Sequence, residues 1–287
     1  MKINKMFLVA GIAALGLAVT SCSDDDEYTP GQPSTATENV SFVDEENYVL
    51  KVEDSEFQFT LVRESTNGAL TVPLEKIQVP DFVSIPDQVT FADGEDEVTV
   101  TAIIGEGMEI FKSYFVVLKV PDTLAKFYDD ETDYSNPRLN ITILKEDYEP
   151  YAVGVYQDPI FYKAAWEQVI EYSALRDTYR MKGVFKDGTD WFFHWNRKYG
   201  EDSQEFYWTD ETGNAVTSFF SGYTHPRYGN VTVNDLYGTS ADYPFIGYDA
   251  EENAFYWPVS FDVSAGSFGA GYEGVKNVQF IGPAPTE

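Results

Sequence analysis

The chain has 287 residues, more than one ordinary core absorbs, so two modest domains with extra segments are expected. Its 43% hydrophobic and 16% aromatic content exclude a disordered polymer, because that much apolar surface offsets the entropy of ordering. Nineteen Lys and Arg against 48 Asp and Glu leave a net charge of −29, which repels phosphate backbones and argues against nucleic acid as a partner. A single cysteine and two histidines argue against a disulfide framework and against a Cys- or His-rich metal centre, so no metal and no cofactor is expected.

Residues 1–21 read as a secretory signal peptide: Lys2 and Lys5, an apolar run from Met6 to Val19, then Thr20 and Ser21. The run falls short of the roughly 20 residues that a bilayer-spanning helix needs. The only cysteine, Cys22, follows at the cut site. Val19-Thr20-Ser21-Cys22 resembles the bacterial lipobox, which implies cleavage before Cys22 and its acylation. Several acyl chains, at about 0.8 kcal/mol per buried methylene, hold a protein stably on a membrane. The next residues, Ser23, Asp24, Asp25, Asp26 and Glu27, resemble the export signal of Bacteroidota-type surface lipoproteins. That resemblance implies an address on the outer face of the outer membrane, lipid-anchored at the cell surface. Residues 22–38 thus form a lipidated tether, and its Pro, Gly, Ser and Thr content from Tyr28 onward suits a flexible spacer.

Residues 39–148 alternate strands with turns. Phe57, Phe59 and Leu61 share one face of a strand; Val98 to Ile104, Tyr114 to Val120 and Leu139 to Leu144 supply others, with Tyr114 to Val120 apolar enough to be buried on both faces. About seven short strands without a convincing helix predict an antiparallel sandwich. Val40-Ser41-Phe42, the stretch from Tyr48 to Arg63 and the stretch from Val89 to Glu95 resemble the Calx-β type of immunoglobulin-like domain. Several members of that family bind Ca²⁺ through loop acids, which draws attention to Glu53, Asp96, Glu146 and Asp147. Lys112 and Ser113 stand where the family tends to carry an acid, so solvated loop carboxylates are the preferred reading. Asp122-Thr123-Leu124 resembles a three-residue O-glycosylation signal of exported Bacteroidota proteins, with a plain Pro-Asp turn as the alternative.

Residues 149–287 are a second β-rich unit, a sandwich or barrel, with its start placed near Glu149-Pro150 because a strand should end before the proline. It holds all five tryptophans, 14 of 20 tyrosines and 12 of 21 phenylalanines, a bias no spacer needs. Strands are expected at 166–173, 178–185, 190–196, 205–208, 230–234 and 255–263, although Ala164 to Leu175 could equally form one short helix. Lys186-Asp187-Gly188-Thr189 and Asp249 to Asn253 read as hairpin turns. Gly269-Ala270-Gly271-Tyr272-Glu273-Gly274 matches a dinucleotide fingerprint in letters only, since no helix and second strand can follow; a glycine-rich loop or bulge is expected.

Both faces of the aromatic strands carry rings, more than one core should hold. Sugars offer flat C–H faces edged by hydroxyls, which aromatic rings with polar edges complement. Trp191, Trp195, Trp208 and Trp257 are therefore the expected ligand contacts, joined by Tyr207 and Tyr256 if the opposite face is exposed, with the alternative that these rings are simply the core of a small β domain. No carboxylate pair or nucleophile constellation stands out, so the chain is not expected to be an enzyme. Together these features resemble glycan-binding surface lipoproteins of polysaccharide-uptake systems, with outer-membrane lipid, a polysaccharide and a surface uptake complex as partners. The alternative is a structural or adhesive surface protein that binds other proteins.

Overall fold

A computed structural model describes residues 38–43, 47–125, 136–185, 188–196 and 204–282. The signal peptide, Cys22, the acidic tract from Ser23 to Glu27, the spacer, and Lys186 and Asp187 of one expected turn lie outside the described residues. Among the described residues every regular element is a strand. The all-β expectation is met.

The first unit contains β1 (Ser41–Phe42), β2 (Tyr48–Leu50), β3 (Glu56–Val62), β4 (Leu70–Pro73), β5 (Glu75–Gln78), β6 (Val83–Ser84), β7 (Gln88–Phe91), β8 (Glu97–Ile104), β9 (Tyr114–Lys119) and β10 (Arg138–Lys145). Two four-stranded sheets, β1-β3-β8-β6 and β2-β10-β9-β5, enclose one core, and β4 pairs with β7 beside them. The expected alternation in β3 holds, with Phe57, Phe59 and Leu61 all buried. Two details differ from expectation. The sandwich is not wholly antiparallel, because β2 runs parallel to β10. Burial of β9 on both faces is met only in part: Val116 and Leu118 point inward and Val117 is buried on the other side, but Phe115 on that side stands 59% exposed.

The chain crosses to the second unit at Glu146-Asp147, between β10 and β11 (Tyr148–Asp158). Pro150 does not mark the start of a new element. It sits inside β11 beside a register shift, where an irregular ladder tolerates the missing N–H. There follow β12 (Ala164–Ser173), β13 (Thr178–Met181), β14 (Trp191–Trp195), β15 (Phe206–Thr209), β16 (Ser218–His225), β17 (Gly229–Asp235), β18 (Gly247–Asp249), β19 (Ala254–Val263) and β20 (Gly266–Phe280). The segment that could have been helix is strand β12, paired along its length with β11. The expected strand over 178–185 stops at Met181, because Gly183 turns the chain with φ +53°.

These strands form one sheet in the order β15-β14-β13-β12-β11-β20-β19-β17-β16, with β18 added against β19. Its two ends approach each other: Val216, just before β16, donates its N–H to the Trp208 carbonyl of β15 at 2.9 Å, and the Trp191 indole of β14 donates to the Ser221 carbonyl of β16 at 2.9 Å. The result is a nearly closed, barrel-like sheet around a ring-filled core. The glycine-rich stretch expected to be a loop or bulge is instead the middle of β20, which pairs with β19 along most of its length. Glycine is required there for approach: a Cβ on Gly274 would stand 2.2 Å from the Phe255 carbonyl oxygen.

Candidate functional site

The four tryptophans expected to contact ligand are core residues. Trp191, Trp208 and Trp257 are 0% exposed and Trp195 is 1% exposed, so a ligand cannot reach them and their proposed contact role is corrected. Trp208 sits edge-on to both Trp191 and Trp257, at 5.7 and 5.4 Å between centroids. The closed sheet has an interior wide enough to take the inward rings of opposite walls, which a flat sheet with one covered face could not do. Tyr207 and Tyr256 do lie on the outer face and are half-buried, but they do not meet. Tyr207 stacks on His194 at 4.8 Å, while Tyr256 lies under Lys276 on a different part of the sheet.

A different set of rings is partly open to solvent, at one end of the barrel. The β11–β12 turn contributes Phe161 and Tyr162, β12 gives Trp166, β16 gives Tyr223 and His225, the next turn Tyr228, and β20 gives Phe268. Their centroids form a continuous chain: Trp166–Tyr162 6.1 Å, Tyr162–Tyr223 5.6 Å, Tyr223–Phe161 4.3 Å, Phe161–Phe268 5.4 Å, Phe268–His225 5.0 Å and His225–Tyr228 4.9 Å. Two cavities flank it. One, of about 410 Å³, is apolar and lined by Tyr162, Ala164, Trp166, Gly183, Val184 and Phe185. The other, of about 380 Å³, is lined by Tyr228, Phe268 and the 263–267 turn.

Local structure explains why these rings gather. Asp158, 1% exposed, ends β11 and its carboxylate accepts the N–H groups of Ile160 (2.8 Å), Phe161 (3.1 Å) and Tyr162 (2.6 Å). Three donors on one carboxylate fix the turn that carries Phe161 and Tyr162. On the facing wall β16 loses register between Phe220 and Thr224, around Gly222 at φ +85°. That irregularity lies directly before Tyr223 in the chain, and such bulges re-aim the side chains beside them.

Beneath the turn lies a buried acid. Glu273 of β20 is 7% exposed and accepts a hydrogen bond from the Tyr156 hydroxyl at 3.1 Å. Burial pushes its pKa up to about 7; Tyr156 and Lys276 oppose the rise and the Asp158 carboxylate adds to it. Glu273 lines neither cavity. Its geometry is that of a structural acid under the aromatic rim.

The domain junction is built differently. Arg180 of β13, nearly buried, grips Glu146 with two hydrogen bonds of 2.9 and 2.6 Å, reaches Glu171 at 2.7 Å and lies 4.0 Å over the Tyr148 ring. Arg176 lies 3.8 Å over Phe111, whose backbone adopts φ 63° in the first unit's β8–β9 loop. Asp147 accepts from the Ser173 hydroxyl and from the Leu175 N–H at 2.8 Å. Glu146 and Asp147, weighed above as loop acids, thus serve as rivets between the units. Among the described residues no three His, Cys, Asp or Glu side chains cluster to hold a metal ion. Thr123 is exposed, in a turn closed by the Leu124 N–H on the Pro121 carbonyl at 2.9 Å.

The rim was not read from the sequence. Of its rings only Trp166 belongs to the tryptophan set that composition singles out, and it is not among the expected contacts.

No family model matches the chain, and no curated protein matches it. Among solved structures, a protein of unknown function from Bacteroides ovatus is 9% identical, covers 87% of this chain and 96% of its own, and superposes with a TM-score of 0.33. A multidomain protein including DUF1735 from Bacteroides ovatus is 10% identical over 85% and 94% of the two chains, also at 0.33. An auxiliary nutrient binding protein from Bacteroides thetaiotaomicron is 9% identical over 78% and 81%, at 0.33.

Proposed function

We propose that the protein is a lipid-anchored, outward-facing, non-catalytic binding module that captures carbohydrate on the aromatic rim of its second domain, as an accessory of polysaccharide uptake. The observation that carries this reading is the unbroken chain of partly buried rings from Trp166 to the exposed Tyr228, flanked by a cavity at each end. Rings with one free face stack on sugar C–H faces, and the Tyr hydroxyls and His225 supply polar edges. The anchor rests on Cys22 with the lipobox-like residues before it, and the outward address on Ser23 to Glu27. Thr123, exposed in its turn, is the position at which this reading places an O-linked glycan.

The test has two arms. Affinity electrophoresis of the soluble form in gels containing single polysaccharides should retard the wild type in at least one, and Tyr162→Ala with Trp166→Ala should run free. Metabolic labelling with a fatty acid should mark the wild type and leave Cys22→Ala unmarked. Free migration in every gel would overturn the glycan reading; an unlabelled wild type would overturn the anchor.

A second reading, an adhesive or structural surface protein, is favoured by two observations. The four expected contact tryptophans are buried, and the first unit exposes Val49 (53%), Ile77 (54%) and Phe115 (59%). Retention of other surface proteins, with no polysaccharide retarding the chain, would select it.

A further inference from the structure

Three cations stand next to residues of the aromatic rim in the chain. Lys163 follows Tyr162, Lys182 precedes Gly183 in the lining of the apolar cavity, and Arg227 precedes Tyr228 in the lining of the other. All three are exposed. Carboxylates outnumber basic side chains 48 to 19 in this chain, so a surface cation has many acids to choose from. In the first unit Lys51, Lys76, Lys112 and Lys119 each hold one. Among the described residues Lys163, Lys182 and Arg227 form no ion pair; the Arg227 guanidinium instead lies 5.2 Å over the Tyr228 ring.

The acids nearby are engaged by backbone N–H groups and form no ion pair with these cations, although they keep their charge. Asp158 is spent on three backbone N–H groups, and Asp190, which Lys182 influences electrostatically, accepts the Gly183 N–H at 2.8 Å. Strand alternation sends Glu167 to the face of β12 opposite Trp166, and Glu167 is exposed there. The rim therefore combines ring faces with three exposed cations that form no ion pair among the described residues, in a protein whose net charge is −29.

We propose that the rim takes a uronate-containing oligosaccharide, with sugar faces on the rings and carboxylates on Lys163, Lys182 and Arg227. This rests on the glycan reading above and names the ligand class within it. A uronate carries its carboxylate at the edge of the ring, level with cations that border a stacking surface. Repulsion from the distant negative charges is screened beyond about 8 Å at physiological salt, whereas contact pairs at the rim are screened much less. A chain ligand fits better than a single sugar, because the rings continue through seven residues from one cavity to the other.

Isothermal titration with oligogalacturonate, neutral galacto-oligosaccharides and a sulfated galactan tests this. Oligogalacturonate should bind tightest. The triple variant Lys163→Gln, Lys182→Gln, Arg227→Gln should lose about tenfold in affinity for it, since each exposed pair is worth about 0.5 kcal/mol. The same variant should bind the neutral oligosaccharide as the wild type does, with an unchanged melting temperature. Binding of neutral sugar with no preference for the uronate, or no loss in the triple variant, would overturn the acidic-ligand proposal and leave the rim as a glycan site. Tighter binding of the sulfated galactan would overturn the carboxylate assignment. If no oligosaccharide binds, the rim reading fails with it.

Discussion

The interior and the rim of the second domain use the same side chains to opposite ends. Inside, Trp191, Trp208 and Trp257 are fully buried among other rings. At the rim, Trp166, Tyr162, Tyr223 and Phe268 keep part of each ring open while still packing on their neighbours. Aromatic content alone therefore says nothing about ligand contact. What separates the sets is where the fold puts them: inward-facing rings fill the barrel, Trp191 and Trp195 at the two ends of β14 included, and rings around the β11–β12 turn and the β16 irregularity border its mouth.

The contrast can be broken hardest from the inside. Trp208→Ala should lower stability by about 3–5 kcal/mol, the usual cost of emptying a buried aromatic site, as read by urea denaturation. A loss under about 1 kcal/mol would mean that this ring is not core. At the domain junction, Arg180→Ala leaves Glu146 buried and Glu171 half-buried without their cation and should cost about 3–5 kcal/mol. Arg180→Ala together with Glu146→Gln should recover part of that loss.

Next in size is a pH effect. Glu273 has a folded pKa raised from 4.5 to about 7, so the folded state keeps a proton that the unfolded chain releases across that window. Its contribution to stability is complete below about pH 4.5 and is lost as pH rises through 7. The total is about 3 kcal/mol at 1.36 kcal/mol per unit. Glu273→Gln, which stays neutral at every pH, should gain on the wild type steadily between pH 5 and pH 8 in chemical denaturation. Parallel stability curves would show that Glu273 ionises freely in the fold. Smallest of all, Tyr228→Ala at the rim, where the side chain is already 39% exposed, should shift stability by about 1 kcal/mol or less while weakening glycan retardation.

Much of the architecture was legible in the chain. Period-two alternation placed Phe57, Phe59 and Leu61 on a buried face, and the turn at Asp249 to Asn253 joins β18 to β19 as expected. Alternation also sorted Trp191, Phe193 and Trp195 from Phe192 and His194, but it cannot say which face turns inward. That depends on the ten-stranded sheet closing on itself. The Ala164 to Leu175 segment was ambiguous because Ala, Glu and Gln favour helix while its pairing with β11 decides for strand. The rim was hidden for a stronger reason: Trp166, Tyr223 and Phe268 lie about a hundred residues apart end to end and meet only through the fold. The one local hint was Asp158 ahead of Phe161-Tyr162, a capping pattern that fixes a turn without naming its use.

The claim that one tryptophan of five faces ligand has a direct test. With 5-fluorotryptophan incorporated, the protein should give five ¹⁹F resonances, and the one missing in Trp166→Phe is assigned. Titration with a binding oligosaccharide should move that resonance saturably and leave the signals of Trp191, Trp195, Trp208 and Trp257 in place. A ligand that shifts the four core signals while the Trp166 signal stays still would contradict the account.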